Sequence, residues 1–427
     1  MYSQTILSNK IKLITVPIKN IDIVTVLFLF PIGSRHESKN LHGGSHFIEH
    51  MMFKGTEKRP NSLAISKELD KIGAYFNAFT GKDHTGYFVK TVNKKTELTI
   101  DVLSDMVFNS VFEKQEFERE KGVIIEEIKM YQENPLLFYE DFFEQNFYQD
   151  NSLSRFISGE INDIRKMDLT EILNYRDRFY QPGQMIIAVA GGVKTKEIKK
   201  IIEKYLNFKK DKKTGNIKEL SLPAKKNKTL KSQVNILFKK ELSQTQIALG
   251  GIGFSYTHPK LNALKILSII LGGNMSSRLF LEIREKRGLA YSISMQNHSY
   301  QDIGHYLISA GIDKDKAVET IKVIIDELLK IKEKGITISE LKMAKDYLIG
   351  STKLGLEDSF KYAYGYGKQL LLTGKIKSFD QQLVDLKKVT KKEVDSLAKE
   401  VFNNFSLSLI GPFKDKAVFL RILKNGI

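Results

Sequence analysis

Two histidines stand four residues apart, with a glutamate between them, in the stretch Gly43-Gly44-Ser45-His46-Phe47-Ile48-Glu49-His50-Met51-Met52-Phe53. On a helix, His46 and His50 lie about 40° apart and Glu49 about 60° to the other side, so all leave within one arc. The neighbouring side chains are apolar, and burying two imidazoles and a carboxylate among them is costly unless something pairs with them. A divalent metal does this. Imidazoles at i and i+4 suit zinc, and an adjacent carboxylate can act as general base on a metal-activated water. The order H-x-x-E-H is the inverse of the commoner zinc-protease motif.

Catalytic zinc takes three protein ligands and keeps one position open. The third ligand is sought on Lys114 to Tyr131, where Phe117, Val123, Ile124, Ile125, Ile128 and Met130 recur at helical spacing. With Glu120 at zero on the wheel, Glu127 falls at about −20°, on the apolar face with Phe117 and Ile124. Glu126 falls about 120° away, with the charged residues of the solvent face. Glu127 is therefore read as the third ligand and Glu120 as a carboxylate supporting the site.

These residues resemble the pitrilysin-like (M16) zinc metallopeptidases: H-x-x-E-H at 46–50, then Glu120-Lys-Gly-Val-Ile-Ile-Glu126-Glu127, whose last glutamate lies 77 residues beyond His50. The resemblance implies that His46, His50 and Glu127 hold one zinc per chain, that Glu49 is catalytic and that Glu120 supports the ligands. The length resembles the short-subunit branch, which includes processing peptidases.

The 427 residues, 42% hydrophobic, are enough for two or three domains with their own cores. Cysteine is absent, which excludes disulfides and thiolate ligands. The formal charge of +17 invites a nucleic-acid reading. The lysines are dispersed, however, and no nucleic-acid-binding motif accompanies them, so a solvated surface is the expectation. The start of the chain has no apolar core of signal-peptide length, and no run reaches transmembrane length. A soluble cytoplasmic protein without membrane insertion is expected.

Residues 4–16 and 21–31 read as strands, the second apolar enough to be central. Gly73 to Thr80 and Gly81 to Lys90 read as a hairpin. By resemblance, Asn77, Ala78 and Phe79 belong to an edge strand where an extended peptide pairs with the backbone, which suits an edge with unpaired N–H and C=O groups. His36 and His42 have no geometric claim to be ligands, and His84 is read as structural or supporting. The lysine-rich segment 209–231 reads as a linker between a zinc-binding half, 1–208, and a second half, 232–427. The second half repeats the first in outline: Thr245 to Phe254 matches Val24 to Ile32, and Leu407 to Gly411 matches Ile186 to Gly191. The helix over Pro259 to Leu271 takes the place of the histidine helix but lacks its motif. The fold class expected is α+β, two homologous halves, each a mainly antiparallel sheet with helices packed on one side.

In Arg278 to Ser294, a helix ends at Lys286 and Arg287, Gly288 is the C′ residue, and a strand starts at Ala290. Arg284 and Tyr291 flank this turn and resemble the family's Arg-Tyr pair. That resemblance implies that they bind substrate, with Tyr291 donating to the oxyanion. The function expected is zinc-dependent endopeptidase action on unfolded peptides or presequence-like segments, inside a chamber formed by two chains. A homodimer is favoured because one chain carries both motifs; a heterodimer, or a non-catalytic structural subunit of the same family, is the alternative.

Overall fold

A computed structural model describes residues 2–206, 232–242 and 244–425. The expected linker, 209–231, lies outside the described residues. The fold is α+β and contains two sheets.

The first sheet comprises β1 (Ser3–Ile6), β2 (Lys12–Pro17), β3 (Ile23–Phe30), β4 (Tyr75–Thr80), β5 (Thr85–Val92) and β6 (Ile186–Gly191), in the order β1-β2-β6-β3-β5-β4. All neighbours are antiparallel except β2 and β6. The second comprises β7 (Gln233–Phe238), β8 (Thr245–Gly253), β9 (Ala290–Ser299), β10 (Gly304–Ile312) and β11 (Ser406–Gly411), in the order β7-β11-β8-β10-β9. Here too a single pair, β7 with β11, is parallel. Apart from β1, the sheets share one topology: β8 stands where β3 does and β11 where β6 does, the correspondence expected from the repeated pattern.

Residues 4–16 are two strands. Asn9 and Lys10 turn the chain, with Lys10 at φ 66° and the Asn9 side chain accepting from the Ile11 N–H. The alternation continues through this turn, which is why it reads as one element. A helix runs over Ser62–Asp70, with Asn61 Oδ1 accepting from the Ala64 N–H.

The chain divides into two compact units that are not continuous in sequence. The first is Met1–Lys129, Arg155–Leu222 and Leu354–Ser378; the second is Met130–Ser154, Pro223–Lys353 and Phe379–Ile427. A single boundary at the linker, as the sequence suggested, does not describe these units, because two helices count with the unit opposite to their half of the sequence. Helix Ser359–Thr373 packs on β2, β3 and β6 of the first unit. Helix Pro135–Tyr148 packs on β8 and β11 of the second.

This explains the composition of β3. Val24, Val26, Phe28 and Phe30 share one core cluster with Phe47 and Phe117. Leu27 and Leu29 point the other way and are also fully buried. A Cβ on Gly367 of helix Ser359–Thr373 would lie 2.6 Å from a Leu29 methyl, so glycine permits this close approach. A strand covered on both faces has no polar alternation to show.

Candidate metal centre

Helix Gly44–Met51 carries His46, Glu49 and His50. Its start is set by Gly43, at φ 88°, and by Glu37, whose carboxylate accepts the Gly43 and Ser45 N–H groups at 2.8 and 2.7 Å. A carboxylate there satisfies donors left over at the helix N-terminus and complements its dipole. Burial pushes the Glu37 carboxyl up to about 7, against the pull of those two N–H groups and of Arg155.

Phe47, Ile48 and Met51 bury the opposite side of the helix. The Phe47 ring lies 4.6 Å, centroid to centroid, from that of Phe117 on helix Lys114–Glu133. Three to ten residues further along the same helix face, Glu120 and Glu127 reach the histidines. Glu127 Oε2 is 3.8 Å from His46 Nε2 and 3.5 Å from His50 Nε2. One ligand atom from each of the three residues falls within 4.8 Å of the others. Glu126, 72% exposed, pairs instead with Lys129 at 2.6 Å.

The donor set fits zinc. Ligand atoms each about 2.0–2.1 Å from a tetrahedral ion lie about 3.3 Å apart, so small side-chain movements close these distances. Burial, with the neighbouring His50, pushes His46 down to about 3, keeping its imidazole neutral as a ligand must be. His46 Nδ1 is buried and makes no hydrogen bond, so packing alone fixes this ring. His50 differs: its Nδ1 is 2.8 Å from Glu120 Oε1, which assigns the proton to Nδ1 and leaves Nε2 free to ligate. Lys54 Nζ holds the other Glu120 oxygen at 2.5 Å. Burial pushes the Glu120 carboxyl up, but His50 and Lys54 outweigh it and hold it below its ordinary value.

Glu49 accepts a hydrogen bond from Thr80 Oγ1, at the end of β4. Burial raises the Glu49 carboxyl above its ordinary value; Thr80 and His50 oppose this, and Glu127 adds to it. β4 is an edge strand of its sheet, as expected for the hairpin. Asn77 is exposed, and its Oδ1 accepts the Ala78 N–H at 2.8 Å. Phe79 stands edge-on to His84 and Tyr364. His84, buried and held down at about 3, is 3.0 Å from the Tyr364 hydroxyl through Nε2. His36 Nδ1 accepts the Gly33 N–H, and His42 lies between Asp163 and the Phe156 carbonyl; neither reaches the histidine pair.

Arg284 and Tyr291 lie in the second unit and touch each other. Arg284 Nη1 donates to the Tyr291 carbonyl at 2.6 Å, and its guanidinium sits 4.7 Å from the centre of the Tyr291 ring. Tyr291 is 75% exposed. Gly288 has φ 58°, as its C′ position requires, but the preceding turn, Phe280–Glu285, is π-helical, closing with Lys286 N–H to Leu281 O.

Glu37, Thr80 and Lys54 escaped the sequence reading. Lys54, four residues after His50, and Thr80, next to Asn77-Ala78-Phe79, stood within its reach. Nothing in the spacing marks Glu37.

Comparison with known proteins places the chain in a family. Residues 13–160 match the insulinase (peptidase family M16) model, and residues 166–348 match the peptidase M16 inactive domain. A Streptomyces coelicolor protein named as an uncharacterized zinc protease is 32% identical over 97% of this chain and 90% of its own length. A Bacillus subtilis protein of the same description is 34% identical over 89% and 91%. A protease from Helicobacter pylori superposes with a TM-score of 0.89 at 24% identity, over 96% of this chain and 99% of that one. The crystal structure of a peptidase M16 inactive domain from Pseudomonas fluorescens gives 0.87 at 18%, over 97% and 98%. The chain belongs to the M16, pitrilysin-like peptidase family.

Proposed function

We propose that this chain is a zinc-dependent endopeptidase acting on extended, unfolded peptides or presequence-like segments. One observation carries the reading: His46 Nε2, His50 Nε2 and a Glu127 oxygen lie close enough to share one ion, and Glu49 is on the same helix as the two histidines. Zinc names among the relatives fit the same donor set.

When bound, zinc supplies a Lewis acid that acidifies a water and polarises a peptide carbonyl. His46, His50 and Glu127 hold it, one ion per chain, and Glu120 keeps His50 in the ligating tautomer. Glu49 takes the proton from the attacking water and delivers it to the leaving amine nitrogen. Its burial raises its basicity toward working pH, and Thr80 fixes the carboxylate in position. The substrate adds as an extended strand to β4 along Asn77, Ala78 and Phe79, which reads backbone more than side chain. Arg284 and Tyr291 are proposed as substrate-contacting groups, with the phenol donating to the oxyanion. Two copies of this chain are proposed to enclose the substrate.

The decisive experiment is Glu49→Gln. The variant should keep one zinc per chain and lose hydrolysis of a quenched peptide. Wild-type turnover by this variant would remove Glu49 as the base, and a zinc-loaded wild-type chain without turnover would favour a non-catalytic subunit.

A further inference from the structure

A second gathering of imidazoles and carboxylates occurs in the second unit. His298 on β9 and His305 on β10 are directly opposed in the antiparallel ladder, so they share one face of the sheet. Their rings stack at 4.6 Å with 3° between planes. Helix Pro135–Tyr148 lies over that face and contributes Glu140, Glu144 and Tyr148. His305 is fully buried and Glu144 is 3% exposed.

Each ring has one nitrogen engaged by the helix. His298 Nδ1 is 3.0 Å from Glu140 Oε1, and His305 Nδ1 is 2.9 Å from the Tyr148 hydroxyl. The second nitrogen of His298, Nε2, is buried and makes no hydrogen bond. His305 Nε2 stands 4.0 Å from Glu144 Oε1, which also accepts from the Tyr300 hydroxyl. One ligand atom each from Glu144, His298 and His305 falls within 4.8 Å of the others.

We propose that Glu144, His298 and His305 form a second site for a divalent transition-metal ion of the zinc class. Two imidazoles with one carboxylate select zinc, cobalt, nickel or copper over magnesium or calcium. Glu140 and Tyr148 stand where ligating histidines usually find the partner that fixes their tautomer. Tetrahedral coordination wants ligand atoms about 3.3 Å apart and the in-plane ring lone pairs aimed at one point, so the stacked rings must rotate out of their parallel arrangement as the ion binds. The ion then ties helix Pro135–Tyr148 to the β9–β10 hairpin. No local motif signals this site, because two ligands face each other across a hairpin and the third is remote in sequence.

The inference is independent of the reading of His46, His50 and Glu127. Its test uses the full-length chain with His50→Ala, which disables the first site. After zinc loading and gel filtration, metal analysis of this variant should give one ion per chain, and zinc should raise its melting temperature. Adding Glu144→Gln, or in a separate variant His298→Asn, should bring the count to zero and abolish the zinc-induced shift, with near-ultraviolet circular dichroism confirming a native fold. A His50→Ala chain without zinc, or an unchanged count after both substitutions, would overturn the proposal. A His50→Ala chain that still holds two ions would instead count against the first site.

Discussion

Glu120→Gln probes the support of the metal centre without touching a ligand. One oxygen of the wild-type carboxylate accepts from His50 Nδ1 at 2.8 Å and the other is ion-paired with Lys54 Nζ at 2.5 Å, with 2% of the side chain exposed. A glutamine of the same shape has one acceptor oxygen and one NH2 group. If the NH2 faces Lys54, two donors oppose each other in a buried place. If it faces His50, the imidazole must accept on Nδ1, and its proton moves to Nε2, the atom that should ligate. Either way one hydrogen bond involving a charged group is lost, about 1.5–3 kcal/mol. At about 1.4 kcal/mol per decade, zinc affinity should fall roughly 10- to 100-fold. Competition against a fluorescent chelator measures this directly, with circular dichroism as the control for folding. Glu126→Gln, at an exposed position paired only with Lys129 among the interactions described, should leave the affinity unchanged. Equal affinities for Glu120→Gln and wild type, or an equal loss from Glu126→Gln, would refute the assignment of helix faces on which the centre rests.

Thr80→Val removes the hydroxyl that donates to Glu49, so kcat/KM should drop by about tenfold or more. Because that hydrogen bond lowers the Glu49 pKa, the acid limb of the rate profile should also move to higher pH; an unmoved limb would make Thr80 a bystander. Tyr291→Phe and Arg284→Ala should each lower kcat/KM with zinc content intact, since both residues lie outside the ligand set, and metal loss in either would contradict the proposed role. Asp105 supplies a stability test: burial pushes its carboxyl up, but Thr56, Asn109 and Arg59 outweigh this and hold it below 3.8. A depressed carboxyl stabilises the fold above its unfolded value, and that stability is lost as pH falls through the lower folded value. Urea midpoints of wild type should therefore fall more steeply below about pH 4 than those of Asp105→Asn; parallel curves would show that the Arg59 network carries no such stability.

The metal centre is legible in the sequence where helical periodicity alone decides geometry. His46 and His50 follow from their spacing, and Glu127 over Glu126 from the face shared with Phe117 and Ile124. The duplicated topology is legible in β3 and β8, whose apolar runs end in similar glycine-containing breaks. Contacts made by loop residues are not. Glu37 caps the histidine helix from across Gly43, and no local rule foretells how that loop folds back. Nor can an apolar helix face announce which sheet it will cover. Phe360, Ala363, Gly367 and Leu370 recur at helical spacing whichever sheet receives them. The assignment of that helix to the first unit is a long-range fact. The Glu144, His298 and His305 cluster is of the same kind.

Interleaving has a consequence for synthesis. The first sheet has all its strands once Gly191 is made, yet Leu29 waits for Gly367 to cover it. For the whole interval on the ribosome, an oily surface stands open on a nascent sheet, and contacts this distant in sequence form slowly. Maturation of the histidine-bearing unit is thus a late event, and a ribosome stalled before residue 359 leaves a nascent chain prone to aggregate or to engage chaperones.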